Sequence, residues 1–346
     1  MKKLLLSFAL LLSALYCQAQ YPKILSDPQV VWAAEIELLI TPEEPADWEN
    51  PDSINQSIVL KTMHTGSPDS LLEQPQGLTG YLFNLAWEGS QPVFDANEPT
   101  RRLSPADLDR LLVRRDTAEF SFDPEAPERP ANPYVFVQIT GADECPLLRV
   151  RQLLFYREKN ADFGLLTLSL GPTLPDGRTF FWWNVPESAQ KQAPRLPRLD
   201  QASVTWARRI ITRAAAPEIK AVPTIQKQDF ALMPGFLNTV RNRSAVEVLN
   251  LEWKPLSLDD REWIFSHVDT VMVFDLNSYE GTEKAVKFEL NPDQVHRLRL
   301  VEDWYWDNRT KQLYTRLVAV APLLDMFSTE GEFLYLRPLF YRKCKG

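Results

Sequence analysis

Four segments of this sequence occur twice in the same order, and this repetition constrains the fold more than any other feature. The paired segments are Val30–Ile36 with Val204–Ile210, Val93–Asn97 with Val273–Asn277, Leu103–Leu111 with Leu290–Leu298, and Leu148–Pro172 with Leu298–Pro322. The last pair aligns without a gap. Four collinear matches indicate an internal duplication, so the sequence predicts two related structural units.

The third pair of segments carries helix-start signals in both copies. Ser104 and Asn291 are favourable N-cap residues, and each is followed by proline at the first helical position. Asp107 and Gln294 lie three residues after these caps, where a side chain can reach back to the cap's N–H group. The pattern therefore predicts a short helix after each cap residue.

The fourth pair has the composition of β-strands separated by polar turns. In the first copy, Arg149–Tyr156 and Phe163–Leu170 predict an antiparallel hairpin, and Leu300–Trp306 with Leu313–Val320 predict its counterpart. A third strand is expected after each hairpin. These third strands are Thr179–Asn184 and Glu332–Leu336.

Two amphipathic segments, Val30–Ile40 and Val204–Thr212, are predicted to form helices that open the two units. The capped helix at Ser104 recurs at Asn291, 187 residues later, whereas the hairpin recurs 150 residues later. The second copy is therefore predicted to lack about 37 residues between helix and hairpin. Together these features predict an α+β fold of two related units, each mainly an antiparallel β-sheet with short flanking helices.

The N-terminus has the pattern of a secretory signal peptide. Two lysines precede the apolar run Leu4–Tyr16, and small residues precede a cleavage site after Ala19. The run is shorter than the roughly 20 residues that a transmembrane helix needs. The alternative of a lipoprotein acylated at Cys17 is disfavoured, because a lipobox requires a small residue where Tyr16 stands.

The remaining chain divides at a proline-containing basic stretch. The predicted organisation is a signal peptide at residues 1–19, unit 1 at 20–188, a linker at 189–202 and unit 2 at 203–346. The linker contains Lys191, Arg195 and Arg198. Two acidic, proline-containing segments, Glu43–Asp52 and Phe122–Pro130, are predicted to be loops.

Charge and composition exclude several classes of protein. Hydrophobic residues make up 45% of the 346 residues, which excludes wholesale disorder. The formal net charge is −8, so general nucleic-acid binding is disfavoured. Cys145 and Cys344 remain after signal-peptide cleavage. They could form a disulfide in an oxidising compartment, but a half-buried thiol and a thiol in a frayed tail are favoured.

No catalytic, cofactor-binding or metal-binding residues are predicted. The histidines His64, His267 and His296 lack metal-ligand spacing, and the sequence contains no phosphate-binding glycine motif and no nucleophile elbow. Glu302 and Asp303 could serve an acid/base hydrolase as paired carboxylates. The matching positions in the first copy, Gln152 and Leu153, disfavour this interpretation.

The aromatic residues of the predicted strands are compatible with two interpretations. They could line a carbohydrate or peptide groove, or they could form the core or an obligate interface. Consecutive aromatic residues are hard to bury inside two small separate units. The sequence therefore favours an obligate interface as strongly as a core position for these residues. The residues are Phe181, Trp182, Trp183, Trp304, Tyr305 and Trp306.

Several segments of the first copy, taken in order, carry a family resemblance. They are Val30–Ile36, Leu82–Leu85 with Val93–Asp95 and Arg115–Thr117, the hairpin Arg149–Pro172, and Phe181–Glu187. A looser version recurs at Trp304–Asp307, Arg316–Pro322 and Phe333–Tyr335. These segments resemble the GldN/PorN family, a periplasmic component of the type IX secretion and gliding-motility machinery.

The resemblance implies a non-enzymatic periplasmic scaffold without a cofactor. It implies assembly with a GldK/PorK-like outer-membrane lipoprotein into a large ring, and contact with a GldM/PorM-like periplasmic arm. Family members are expected to carry one such core, so that the second copy would be a tandem addition. The alternatives from other classes are a ligand-binding module with an aromatic groove and an acid/base hydrolase.

Overall fold

The computed structural model describes residues 23–42, 56–62, 77–119, 133–185, 201–215, 219–221, 231–274, 281–328 and 330–344. The predicted signal peptide, both predicted acidic loops, His64 and most of the predicted linker lie outside the described residues. Below, the first half of the chain means the described residues up to 185, and the second half means those from 201.

The described residues form short helices and many strands. In chain order these are β1 (Val30–Ile40), β2 (Gln56–Thr62), α1 (Leu78–Trp87), β3 (Val93–Asp95), α2 (Pro105–Leu112), β4 (Val113–Glu119), β5 (Pro133–Ile139), β6 (Leu147–Arg157), β7 (Asp162–Thr173), β8 (Phe181–Asn184), β9 (Val204–Ala215), β10 (Ile219–Ala221), α3 (Leu232–Asn242), β11 (Val248–Leu249), α4 (Leu258–Phe265), β12 (Ser266–Phe274), β13 (Gly281–Glu289), β14 (Arg297–Asp307), β15 (Gln312–Phe327), β16 (Phe333–Pro338) and β17 (Tyr341–Lys343). Single 3-10 turns cover Lys23–Ser26, Ala142–Glu144, Glu158–Asn160 and Pro292–Gln294.

Two antiparallel sheets make up the body, which confirms the predicted α+β class. Sheet 1 has the order β10-β1-β6-β7-β8-β3, and sheet 2 has the order β11-β17-β15-β14-β9-β2, with β16 paired to β15. The halves exchange edge strands, because β10 joins the sheet of the first half and β2 joins the sheet of the second. The predicted hairpins are β6–β7 and β14–β15. The predicted third strand Thr179–Asn184 contains β8, and the predicted third strand Glu332–Leu336 overlaps β16, which continues to Pro338.

The segments that were expected to open each unit as helices are strands, so that prediction is wrong. Strand β1 pairs with β6 from Val30 opposite Arg157 to Ile40 opposite Leu148, and β9 pairs with β14 over a similar length. The first five residues of β1, Val30–Ala34, are buried on both faces, because one face joins the main core and the other packs under the N-terminal 3-10 turn. A strand buried on both faces loses the alternation that distinguishes it from a helix.

The helix predicted at Ser104 is confirmed as α2. Ser104 Oγ accepts a hydrogen bond from the Asp107 backbone N–H at 3.2 Å, and Asp107 Oδ2 accepts one from the Ser104 N–H at 3.0 Å. The helix predicted after Asn291 is wrong, because only the 3-10 turn Pro292–Gln294 forms there. Strand β14 begins at Arg297 and leaves no room for a longer helix.

The structural counterpart of α2 is α4, not the turn at Asn291. Ser257 Oγ accepts a hydrogen bond from the Asp260 N–H at 3.0 Å, as Ser104 does from Asp107. Each of these helices leads directly into a two-stranded hairpin, β4–β5 or β12–β13. The predicted loss of about 37 residues from the second copy is therefore wrong. The match of Val93–Asn97 to Val273–Asn277 is wrong too, because β3 lies in sheet 1 whereas β12 lies in a hairpin.

The two sheets face each other across one shared hydrophobic core. Trp183 of sheet 1 and Trp306 of sheet 2 meet edge to face at 6.1 Å, and Tyr81 of α1 stacks on Trp306 at 5.1 Å. At the other end, Phe236 of α3 packs against Phe163 at 4.9 Å. Complete burial of a side chain such as Phe236 contributes about 1.5–3 kcal/mol of transfer free energy.

Each half also holds the hairpin turn of the other half. Arg342 donates from Nε to the Ala161 carbonyl at 3.0 Å, and Arg243 donates to the Lys159 carbonyl at 2.7 Å. In the reverse direction, Gln91 Nε2 donates to the Lys311 carbonyl at 3.0 Å. The core, the exchanged strands and these contacts join the halves into one body.

Candidate docking surfaces

The carboxylates Glu302 and Asp303 lie on opposite faces of β14, so they cannot flank one substrate bond. Glu302 is fully buried between the sheets, where Oε2 accepts hydrogen bonds from Gln152 Nε2 at 2.7 Å and Trp304 Nε1 at 2.9 Å. Burial raises the pKa of Glu302 to about 7, although both hydrogen bonds act to lower this pKa.

Asp303 faces away from the core and is held by two arginines. It accepts a bidentate pair of hydrogen bonds from Arg209, at 2.7 and 3.0 Å, and a further one from Arg316 at 3.2 Å. Its side chain is nearly inaccessible to solvent. These contacts account for Asp303 as a structural residue and remove the geometric basis for the hydrolase interpretation.

The aromatic residues considered for a groove are all buried, so they offer no open ring face. The most exposed among them, Trp182 and Tyr305, are only 5% exposed. Burial of consecutive aromatics is possible because the two sheets share one core, while a neighbouring loop covers an aromatic residue on the outer face. Trp182, for example, lies on the outer face and donates from Nε1 to the Ala96 carbonyl at 3.2 Å.

The remaining chemically reactive residues are dispersed or buried. His267 stacks on Trp263 at 4.1 Å and its Nδ1 lies 2.8 Å from the Trp263 carbonyl oxygen, whereas His296 is exposed. No group of metal-ligating side chains occurs in the described ranges. Cys145 and Cys344 are both buried free thiols, so the expectation of a frayed tail around Cys344 is wrong. Burial raises the pKa of each thiol to about 12.

Two hairpins lie outside the main sheets and form separate two-stranded sheets; we call them arm 1 (β4–β5) and arm 2 (β12–β13). In arm 2, Val268 is opposite Lys287 and Val286 is opposite Asp269, so the two valines lie on opposite faces. Both valines are exposed, Val268 by 66%. In arm 1, Val137 and Ile139 are exposed. Both arms therefore present apolar side chains to solvent.

The base of arm 2 carries an exposed aromatic cluster. Trp263 of α4 stacks on His267, and the His267 ring lies 4.7 Å from the ring of Phe288. Trp263 is 54% exposed, and Leu258 at the start of α4 is exposed as well. Exposed apolar groups in such a contiguous arrangement mark surfaces for protein association.

A further exposed apolar patch lies where β15 extends to pair with β16. Strand β15 has 16 residues whereas its counterpart β7 has 12. The extension brings Phe327 and Phe333 together edge to face at 6.1 Å. The exposed side chains of this extension are Phe327, Phe333, Leu334 and Tyr335.

A family model described as gliding motility associated protein GldN matches residues 54–343 of the chain. The chain belongs to the GldN family. Family membership makes it a component of the gliding-motility machinery, and GldN is not a known enzyme family. Comparison with curated proteins and comparison with solved structures each gave no match.

The GldN match runs through both sheets and both arms in one stretch. The second half is therefore part of the family's own sequence, and the expectation of one core per member is wrong. No helix in the described ranges is long and apolar enough to cross a membrane.

Sequence reasoning missed the arms as the surfaces of interest in this GldN family member. The segment 283–289 places Val286 and Phe288 on one face of a strand and Glu283, Lys287 and Glu289 on the other, which is typical of a strand with one buried face. In the structure, six of these seven residues are exposed. The sequence did contain a signal for arm 2. Ser257 and Asp260 have the same spacing as the capping residues Ser104 and Asp107 of α2, and they mark the start of α4, which leads into arm 2.

Proposed function

We propose that this protein is a non-enzymatic periplasmic scaffold subunit of the type IX secretion and gliding-motility apparatus. The observation that carries the proposal is a contrast within the molecule. The two main sheets bury their aromatic and carboxylate side chains in a shared core, whereas the two arms expose apolar side chains to solvent. An isolated two-stranded sheet is marginally stable in water, and exposed apolar surface favours association. Arms of this kind suit a subunit that becomes part of a larger assembly.

The proposed partners follow the family resemblance. They are a GldK/PorK-like outer-membrane lipoprotein, further copies of this chain in a ring, and a GldM/PorM-like periplasmic arm. The predicted signal peptide supports export to the periplasm. The shared order of helix, hairpin, 3-10 turn and long hairpin in both halves supports an origin by tandem duplication, with the predicted units 20–188 and 203–346.

Arm 2 is the proposed main contact with the lipoprotein. Its two faces both carry an exposed valine, and the aromatic cluster at its base extends the apolar surface. Tryptophan in an exposed cluster is typical of the residues that dominate binding energy at interfaces.

The test is an affinity purification of tagged protein from cross-linked native envelopes, read by mass spectrometry. Wild type, Val268→Asp and Leu251→Asp are compared. Leu251 is an exposed leucine outside both arms, so its variant is a matched control for an added surface charge. We expect wild type and Leu251→Asp to recover both the lipoprotein and the GldM/PorM-like partner. We expect Val268→Asp to lose the lipoprotein.

Two outcomes would contradict these statements separately. Recovery of wild-type protein alone as a monomer would overturn the scaffold function. Equal recovery of the lipoprotein by wild type and Val268→Asp would leave the scaffold function standing but would remove arm 2 as the contact.

A further inference from the structure

An open cleft of about 850 Å³ lies on the outer face of sheet 1. Strands β1 and β6 supply one side of its lining, and residues 95–103, α2 and residues 177–182 supply the rest. Its volume is within the range of ligand-binding clefts. Five arginines line it: Arg101, Arg110, Arg149, Arg151 and Arg178.

Two of these arginines are fixed on β6 by the neighbouring strand. Arg149 donates to Glu37 Oε1 at 2.9 Å and to the Gly177 carbonyl at 2.7 Å. Arg151 donates from Nε to Glu35 Oε1 at 2.7 Å, and its guanidinium lies 5.9 Å from the ring centroid of Trp182. Positions two apart on a strand share a face, so both guanidinium groups are held on the cleft side.

The acidic residues of the cleft are committed to local structure. Asp107 accepts from the Ser104 N–H and hydroxyl through Oδ2 and from Arg101 through Oδ1. The Ser104 hydrogen bond lowers the pKa of Asp107, so this group stays ionised. Asp95 Oδ1 accepts from the backbone N–H groups of Asn97 and Glu98.

Donors therefore outnumber free acceptors in the cleft. Each guanidinium has five N–H donors, and the cleft holds five arginines against four carboxylates. Arg110 and Arg178 are exposed, Arg178 with 71% of its side chain accessible. Arg178 also lies 3.8 Å from Asp176 in an exposed pair, which contributes little binding energy. With five positive and four negative side chains in its lining, the cleft is far less acidic than a chain of net charge −8 is as a whole.

The lining also contains apolar groups between the charged ones. Leu111 is 40% exposed, whereas Leu103 and Phe180 beside it are buried. An occupant that brings apolar side chains between its negative charges would cover Leu111 as well as meet the arginines. Sugars are disfavoured, because Phe180 and Trp182 are too buried to offer a ring face for stacking.

From this geometry we infer that the cleft binds an acidic peptide segment of a partner protein, in which carboxylates alternate with apolar residues. Guanidinium groups recognise carboxylates through paired, charge-assisted hydrogen bonds, which favours Asp and Glu side chains as the bound groups. The four carboxylates of the cleft would repel a continuous polyanion such as a nucleic acid more strongly than a peptide with spaced charges.

The test measures fluorescence anisotropy of a labelled eight-residue peptide that alternates glutamate and leucine, titrated with the mature full-length protein. A peptide alternating lysine and leucine serves as the charge-reversed probe. The double variant Arg110→Gln/Arg178→Gln removes two exposed cleft charges. The matched control Arg309→Gln/Lys254→Gln removes two exposed charges elsewhere.

We expect wild type to bind the acidic peptide saturably, with an affinity that weakens as salt is added, and not to bind the basic peptide. The cleft variant should bind the acidic peptide about tenfold more weakly than wild type, and the control variant should bind it as wild type does. Equal weakening in both variants, or no acidic-peptide binding by wild type, would overturn the inference. Binding of heparin or pyrophosphate without peptide binding would also overturn it, by assigning the cleft to a different anion. Circular dichroism checks that both variants are folded.

Discussion

Gln152 and Glu302 occupy matching positions 150 residues apart, and they touch each other at the centre of the molecule, where Gln152 Nε2 donates to Glu302 Oε2 at 2.7 Å. Both side chains are completely buried. The two side chains come from corresponding positions of the hairpins β6–β7 and β14–β15, so this contact joins the two sheets at matching points. The amide in one half and the carboxylate in the other allow a hydrogen bond that two carboxylates could form only by sharing a proton.

This contact predicts a pH-dependent stability. The folded protein holds the Glu302 proton up to a pKa of about 7, whereas the unfolded chain releases it near 4.5. The folded state therefore binds more protons between these values, and its free energy of unfolding falls as pH rises through this window. We expect Glu302→Gln to remove this part of the pH dependence. The gain in stability relative to wild type should be about 2–3 kcal/mol larger at pH 8 than at pH 4.

Urea unfolding of both proteins at pH 4, 6 and 8 measures the difference directly. The subtraction of wild type from variant at each pH cancels titration of other groups. A difference in unfolding free energy that stays constant across the three pH values would show that Glu302 titrates normally in the folded protein.

The hairpins and the α+β class could be predicted from the sequence because their signals are local. The segments of β6–β7 and β14–β15 match without gaps, and their turns carry polar residues. The helix cap at Ser104 is likewise a local signal, because it is contained in the four residues Ser104–Asp107. The exchange of β2 and β10 between the sheets could not be predicted, because it depends on pairings between distant segments with little pattern of their own.

Burial on both faces explains the main errors. The start of β1, Val30–Ala34, is apolar on both faces, and β9 carries the buried Arg208 beside Arg209. Neither segment therefore shows the simple polar–apolar alternation of a strand, and both resembled amphipathic helices. The aromatic residues were also compatible with a groove, because each predicted unit alone offers too small an interior to bury them all. In the structure, Trp183 and Trp306 from the two halves fill one core together. The cleft arginines are scattered over residues 101–178, and only the fold brings them to one surface.

The contacts between the halves predict a large effect at Arg342. This buried side chain donates to the carbonyls of Ala161 and Asn160 across the interface and to that of Glu247. Replacement with methionine leaves buried carbonyl groups without donors, so Arg342→Met should cost about 3 kcal/mol of unfolding free energy. Arg337→Met, at an exposed arginine of β16, is the control and should change stability by less than about 0.5 kcal/mol.

Chemical denaturation of both arginine variants decides the matter. If the two variants had equal midpoints, the contact between Arg342 and the β6–β7 turn would not contribute to holding the halves together.

Close packing on the outer face of sheet 1 predicts a steric effect at Gly164. This glycine lies opposite Phe155 in the β6–β7 pair, and a Cβ atom here would be 2.8 Å from Phe155 Cε1 and closer still to Cζ. The ring must move, so Gly164→Ala should cost about 1–3 kcal/mol. Gly141→Ala is the matched control, because its Cβ would meet no atom within 4 Å.

Thermal unfolding followed by near-ultraviolet circular dichroism tests the glycine pair. The Gly164 variant should melt several degrees below wild type. A melting temperature equal to that of Gly141→Ala would mean that the Phe155 ring moves aside at negligible cost.

The two buried thiols predict that alkylation depends on unfolding. Burial raises the pKa of Cys145 and Cys344 to about 12, so the reactive thiolate is scarce at pH 8, and neither sulfur is accessible to reagent. Iodoacetamide at pH 8 should label neither residue in native protein and both residues in urea, without any reductant. Peptide mass spectrometry identifies the labelled sites. Rapid labelling of native protein would contradict the burial, and failure to label both in urea until a reductant is added would show that the two cysteines form a disulfide.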